Sequence, residues 1–458
     1  MFGKEIYATR RAVLRQSLRE GVVLLIGNDE AGINYADNTY PFRQDSTFLY
    51  YFGLSQPGLY AIIDAESGED ILFGDDASID SIVWTGPQPT MRSLADSAAV
   101  ASVGTVEALK EYLKKVMRAE KRMLYLPPYR PEHKLKILEL LRIMPWEVRH
   151  SYELCHWVVK QRIYKSDDEI VEINRACLLT AEIHERVIRE TRIGMRESDL
   201  AAIVCKMAQE HNFALAFPTI ATVNGQTLHN HYHGNVIKEG DMLLLDAGVE
   251  TEMGYAGDMS STIPAGKRFT QRQRDVYDVA VAAHLAAVNA LRPGVPFESI
   301  YDLAAETIME GLQSLGLTKG NAAEAVRLGA HALFFPCGLG HMMGLDVHDM
   351  ENLGEVYVGY DGRPKSTQFG RKSLRLARPL EPGFVITVEP GIYFIPELID
   401  QWRSQRLFTD FINYDKVEAY KDFGGIRNEE DYYISRDGAI LLGHKIPLTA
   451  DEVEAARN

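Results

Sequence analysis

An α+β chain of two domains is predicted by three observations. Apolar strands alternate with helices over the first third, and long amphipathic helices precede short, glycine-flanked strands over the rest. At 458 residues the chain also exceeds what one hydrophobic core usually serves. The predicted boundary falls near 161–166, separating a smaller α/β domain, 1–160, from a larger domain, 161–458.

Taken in order, residues 9–20 have helical spacing, and GVVLLIG at 21–27 reads as a buried strand closed by a turn. Further strands are expected at 58–64, 70–73 and 123–126, with a helix over 106–119. The aromatic-rich stretch 38–55 (Tyr40, Phe42, Phe48, Tyr50, Tyr51, Phe52) is assigned to core packing, and PPYRP at 127–131 to a turn. Beyond the boundary, 167–192 predicts a long amphipathic helix that Ser166 would cap. Helices follow over 197–212 and 272–291, the second closed by Arg292-Pro293-Gly294, and helical spacing continues over 297–315. The basic, polar stretch 361–378 predicts a long loop near the functional site. There is no low-complexity tract, and periodicity alone reveals no repeat in the second half.

Apolar content of 46% and charged content of 25% are ordinary globular values. A formal charge of −15 disfavours nucleic acid or an anionic membrane surface as the main partner. The longest early apolar run, 22–26, is too short to span a bilayer, and no cleavable signal precedes it. Cys155, Cys177, Cys205 and Cys337 show no framework spacing, so reduced thiols in a cytoplasmic protein are expected. Cys155-His156 has no second such pair, which argues against a zinc site there.

The chemistry concentrates in five residues, each inside a glycine-containing apolar phrase: Asp246 (LLLDAG), Asp258 (YAGDMSST), His341 (GLGHMMGLDVHD), Glu389 (ITVEPGIY) and Glu429 (GGIRNEED). Four carboxylates and one imidazole suit two divalent cations of the manganese, cobalt, iron or zinc type. A hairpin turning near Glu252 is expected to set Asp246 opposite Asp258, where facing residues lie roughly 4.5–5.5 Å apart. Two facing like charges are destabilising unless a cation lies between them. The phrase Gly338–Gly344 departs from the dinucleotide fingerprint and lacks its strand context, and no nucleophile elbow supports a serine triad.

In these phrases and their order the second half resembles the creatinase/methionine-aminopeptidase pita-bread superfamily, in its aminopeptidase P and prolidase branch. YPFRQDSTFLYYFGLSQPG resembles the aminopeptidase P N-terminal domain, and RIYKSDDEIVEINRA the helix that opens the catalytic domain. The resemblance implies a pita-bread catalytic domain behind a smaller α/β domain, and an Xaa-Pro aminopeptidase with strict Xaa-Pro dipeptidase (prolidase) as the alternative. A metal-free binding or scaffold protein of the same fold is the reading from another class. It implies two divalent ions, manganese first with cobalt, zinc or iron as alternatives, held by Asp246, Asp258, His341, Glu389 and Glu429. Asp258 and Glu429 would each touch both ions. Glu389 would shuttle a proton and His348 would hydrogen-bond the reacting carbonyl. His229 would supply a further imidazole, with His231 as its rival within HNHYH. Arg427 would hold ligand carboxylates, and Arg375, fourteen residues before Glu389, would meet a substrate carboxylate. Trp84 in IVWTGPQPT would sit where a neighbouring subunit reaches the site of a homodimer or homotetramer. Proline-containing peptides or dipeptides are the implied substrates. Cys337 stands where the family has histidine, and Asn428 where it has an aliphatic residue.

Overall fold

In the computed structural model, which describes residues 1–457, the chain packs as two compact units. One comprises Met1–Arg162 with Met350–Tyr357, the other Ile163–Asp349 with the remainder from Val358.

The first unit is built on a five-stranded mixed sheet. Its order is Ser102–Gly104, Asp70–Phe73, Tyr60–Asp64, Val22–Ile26, Met123–Leu124. Val22–Ile26 lies antiparallel to Tyr60–Asp64 and parallel to Met123–Leu124. Every residue of VVLLI and YAIID is buried, as continuous apolar runs covered on both faces require. The helix Val106–Arg118 starts at a Thr105 cap and buries Leu109, Leu113 and Val116 on one stripe. In the N-terminal helix Lys4–Leu18, the fully buried Arg11 uses its fork on Tyr51 O, Ala98 O and Asp70 Oδ2 at 2.7–2.8 Å, which offsets its desolvation.

Within the aromatic stretch the chain forms a helix, Ser46–Phe52, capped by Asp45. All seven residues are buried, so it has no polar face and no periodicity to betray it. A second helix, Pro131–Leu141, begins at the last proline of the expected turn, with proline in its favoured first position.

The second unit opens with the helix Asp167–Glu190. Its Ser166 hydroxyl accepts the Glu169 N–H while the Glu169 carboxylate accepts the Ser166 N–H, a capping box. Helices Glu197–Glu210, Gln271–Ala290 and Phe297–Ser314 follow. One three-stranded sheet runs Met259–Pro264, Met242–Ala247, Ile220–Thr222; another runs Val385–Val388, Glu430–Ile434, Ala439–Leu441. Among the described residues no helix is long and apolar enough to cross a membrane.

These sheets belong to an internal repeat. Residues 240–248 (GDMLLLDAG) and 383–391 (GFVITVEPG) share a glycine, a buried strand, a carboxylate and a closing glycine. Each is preceded by equivalent contacts, Gly194 N–H to Ile237 O at 2.9 Å and Gly294 N–H to Leu380 O at 2.7 Å. Asp246 and Glu389 therefore occupy matching positions in the two halves, and a bridge between Ser260 and Glu429 joins the sheets.

Candidate metal centre

Asp246 lies near the end of the strand Met242–Ala247, whose pairing runs from Met242↔Pro264 to Ala247↔Met259. Asp246 therefore faces Ser260, and the expected direct opposition to Asp258 is corrected by two residues. The connection is wider than a tight hairpin: a short strand Val249–Glu250, a turn through Gly254 and a bridge from Glu250 to Ala256 intervene. Asp258 lies just before the strand Met259–Pro264 and lines the same cavity as Asp246. Close approach explains Gly248, where a Cβ would meet Gly257 O at 2.0 Å.

His341 is delivered from the other half. Its segment lies along the strand Val385–Val388 through the bridge Met342↔Ile386, with Thr387 N–H on His341 O at 3.0 Å and Glu389 N–H on Leu339 O at 2.8 Å. A Cβ on Gly340 would lie 2.1 Å from Thr387 O, so only glycine permits this approach. His341 Nδ1 donates to Met342 O at 3.0 Å, which leaves the Nε2 lone pair facing Asp258 Oδ2 at 3.4 Å and Glu389 Oε1 at 3.7 Å. Asp258, His341 and Glu429, all buried, each offer one ligand atom within 4.8 Å of the others.

Arg427 organises the carboxylates from behind. It donates to Asp246 Oδ2, to Ser260 Oγ at 3.0 Å and to Tyr393 Oη at 3.0 Å, while the Ser260 hydroxyl donates to Glu429 Oε2 at 2.8 Å. Asp431 Oδ2 accepts the Asp258 N–H at 3.0 Å and the Cys177 thiol at 3.1 Å. Burial, then Asp246, pushes the Asp258 carboxyl well above its ordinary range; burial, then Asp258 and Glu389, does the same to Glu429. Burial raises Glu389 as well, against the pull of His341 and Arg427. Asp258 Oδ1 is buried without a hydrogen-bond partner among the described residues. A crowded carboxylate set with an orphaned oxygen and an aimed imidazole fits divalent cations, which supply the missing positive charge.

All five residues line one cavity of about 220 Å³, together with His229, His231, Cys337, His348, Arg375 and Arg427. The His348 ring lies 4.3 Å from that of His341, inclined by 64°. His229 and His231 both reach the cavity from its exposed rim, and burial, then Arg427, lowers the His229 pKa. Burial, then Glu389, pushes the Cys337 thiol up to about 12, and its Sγ is 3.9 Å from Tyr393 Oη. Asn428 turns its carboxamide oxygen to Thr262 N–H at 3.2 Å. Trp84 is not part of this cavity: it stands 87% exposed on the helix Ile79–Thr85 of the first unit. Sequence reasoning weighed Ser260 only as an unsupported triad serine, and missed Tyr393, Asp431 and the apolar wall of Phe217, Ile220, Leu228 and Val347. Nothing local marks these.

Residues 171–436 match the profile of metallopeptidase family M24, and residues 7–125 that of the aminopeptidase P N-terminal domain. The chain is 29% identical to the Xaa-Pro dipeptidase of Homo sapiens over 98% of its length and 92% of that protein. It is 28% identical to the Xaa-Pro aminopeptidase of Escherichia coli K12, covering 99% of this chain and 97% of the other. The solved structure of proline aminopeptidase P II from Yersinia pestis superposes with a TM-score of 0.82 at 26% identity, covering 99% of both chains.

Proposed function

Because the chain belongs to metallopeptidase family M24, we propose that it is a metal-dependent Xaa-Pro aminopeptidase, hydrolysing the bond between an N-terminal residue and proline. The convergence of four carboxylates and His341 in one cavity, braced by Arg427, is the observation that carries this reading. Similarity to an Xaa-Pro aminopeptidase and an Xaa-Pro dipeptidase supports the substrate class.

Asp246, Asp258, His341, Glu389 and Glu429 would hold two divalent ions, for which we propose manganese. When bound, the ions supply Lewis acidity and bring the pKa of water towards neutrality. Glu389, its carboxyl already raised by burial, takes the proton of the attacking water and passes it to the departing prolyl nitrogen. His348 donates a hydrogen bond to the carbonyl oxygen as negative charge develops there. His229 is preferred over His231 as the second imidazole. Phe217, Ile220, Leu228 and Val347 offer an apolar wall for a pyrrolidine ring.

A stricter dipeptidase activity is favoured by one observation, the presence of Arg375 in the cavity. A guanidinium fork matches the carboxylate that directly follows the prolyl ring of a dipeptide, whereas a longer peptide presents a neutral amide there. Manganese-reconstituted protein assayed on Xaa-Pro and Xaa-Pro-Yaa separates the readings. Cleavage of both supports the aminopeptidase, cleavage of Xaa-Pro alone supports the dipeptidase, and cleavage of neither removes both. We further propose a cytoplasmic protein that forms a homodimer or homotetramer through its first unit, where Ile79, Val83 and Trp84 stand exposed on one short helix.

A further inference from the structure

Among the buried ion pairs that the chemistry proposed above leaves unused, one lies beside the site. Lys165 Nζ and Asp349 Oδ2 are 2.7 Å apart, and each side chain is only 1% exposed. A desolvated pair of this kind adds little stability over an apolar pair of similar volume, whereas losing one partner is costly. What such a pair supplies is geometry, and here the geometry leads to His348.

Asp349 N–H donates to Met342 O at 2.9 Å, closing the chain from the His341 segment into a loop that carries His348. Within it, Asp349 Oδ1 accepts the Asp346 N–H at 3.4 Å and Gly344 N–H donates to Asp346 O at 3.0 Å. A Cβ on Gly344 would fall 2.7 Å from Asp349 Oδ2 and 2.8 Å from Lys165 Cε, so the pair lies directly against the loop backbone. Lys165 is itself fixed, its N–H on Gly383 O at 2.8 Å, and Met343 N–H donates to Val385 O at 3.0 Å in the strand that follows. The ammonium thus ties the far end of the loop to the element against which its near end is paired.

We propose that Lys165 and Asp349 are positioning residues for His348, holding its imidazole beside that of His341. This rests on the role given to His348 in Xaa-Pro hydrolysis. The position matters because displacement of a reacting group by about 1 Å costs on the order of 100-fold in rate.

The test compares Lys165→Met, Asp349→Asn and the charge-free double variant with the wild type, by turnover, bound manganese, melting temperature and the His348 imidazole resonances. Those resonances are assigned by their loss in His348→Asn and recorded on metal-free protein. Each single variant is expected to lose ~10- to 100-fold in kcat with KM within about twofold and unchanged metal content. The double variant is expected to recover melting temperature without recovering kcat, and remains testable if a single variant folds poorly. The His348 resonance should shift or broaden in all of them. Recovery of kcat together with melting temperature, or an unmoved His348 resonance, overturns the proposal. Should the wild type cleave no Xaa-Pro bond, the resonance decides alone: displacement upholds the positioning role and an unmoved ring ends it.

Discussion

Asp258 and Glu429 carry the clearest expectation for single residues, because burial raises both carboxyls, with Asp246 adding to Asp258 and with Asp258 and Glu389 adding to Glu429. Replacing either by alanine should abolish turnover and lower bound manganese, read by elemental analysis of the purified variants. Full activity with undiminished metal in either one would exclude it as a ligand. Ser260 makes a finer prediction. Its hydroxyl accepts from Arg427 and donates to Glu429, so Ser260→Ala leaves a buried guanidinium N–H and a carboxylate oxygen each short of a partner. The loss should be about 1–3 kcal/mol at the site, seen as 10- to 100-fold weaker manganese binding by titration calorimetry. Unchanged affinity would reduce the serine to a spacer. Arg375→Ala should raise KM for Xaa-Pro far more than for Xaa-Pro-Yaa if the guanidinium meets a terminal carboxylate. Equal effects on the two substrates would leave the aminopeptidase reading without its rival.

Among elements, the contact between the His341 segment and the strand Val385–Val388 is the most exacting. A methyl group on Gly340 would lie 2.1 Å from Thr387 O, too close for any rotamer change to relieve. Gly340→Ala should cost about 1–3 kcal/mol of stability and displace the His341 imidazole, so metal affinity and turnover fall together. A variant with wild-type metal affinity would show that the two segments can part without cost to the centre. The long helix makes a milder claim. Ser166→Ala removes the cap of Asp167–Glu190 and should cost about 1 kcal/mol in urea unfolding, with no change in KM.

For the whole molecule, the raised carboxyls couple folding to pH and metal. In metal-free protein Asp258 and Glu429 bind protons more tightly when folded than when unfolded. Their contribution is complete below the ordinary carboxylate pKa of about 4 and is lost as pH rises through the raised values. Cations stabilise the ionised carboxylates, so the gain in melting temperature from added manganese should grow between about pH 5 and about pH 8. A gain that is flat or shrinks with pH would contradict the buried, proton-retaining state of these groups. Assembly is tested by light scattering at assay concentration. An active monomer would end the proposed dimer or tetramer, and Trp84→Ala should weaken association if the exposed helix lies in its interface.

The amino-acid sequence by itself determined which residue types the site uses, and much of the secondary structure that bears them. Asp246 and Glu389 each close an apolar strand before glycine, and Asp167–Glu190 announces itself by its capping box and amphipathic stripe. These are local properties, written in the 2.0 and 3.6 periods and in the stereochemistry of helix ends. Where burial is complete on all sides, as in Ser46–Phe52, the period vanishes and the helix is hidden. The internal repeat escapes periodicity and emerges only when the strands of GDMLLLDAG and GFVITVEPG take matching places and Ser260 and Glu429 bridge the two halves. Only the tertiary structure decided that Asp246 faces Ser260 rather than Asp258, because strand register depends on the path of the intervening turn. It alone brought Tyr393, Asp431 and the apolar wall to the candidate ligands, since those contacts join elements that no local pattern relates.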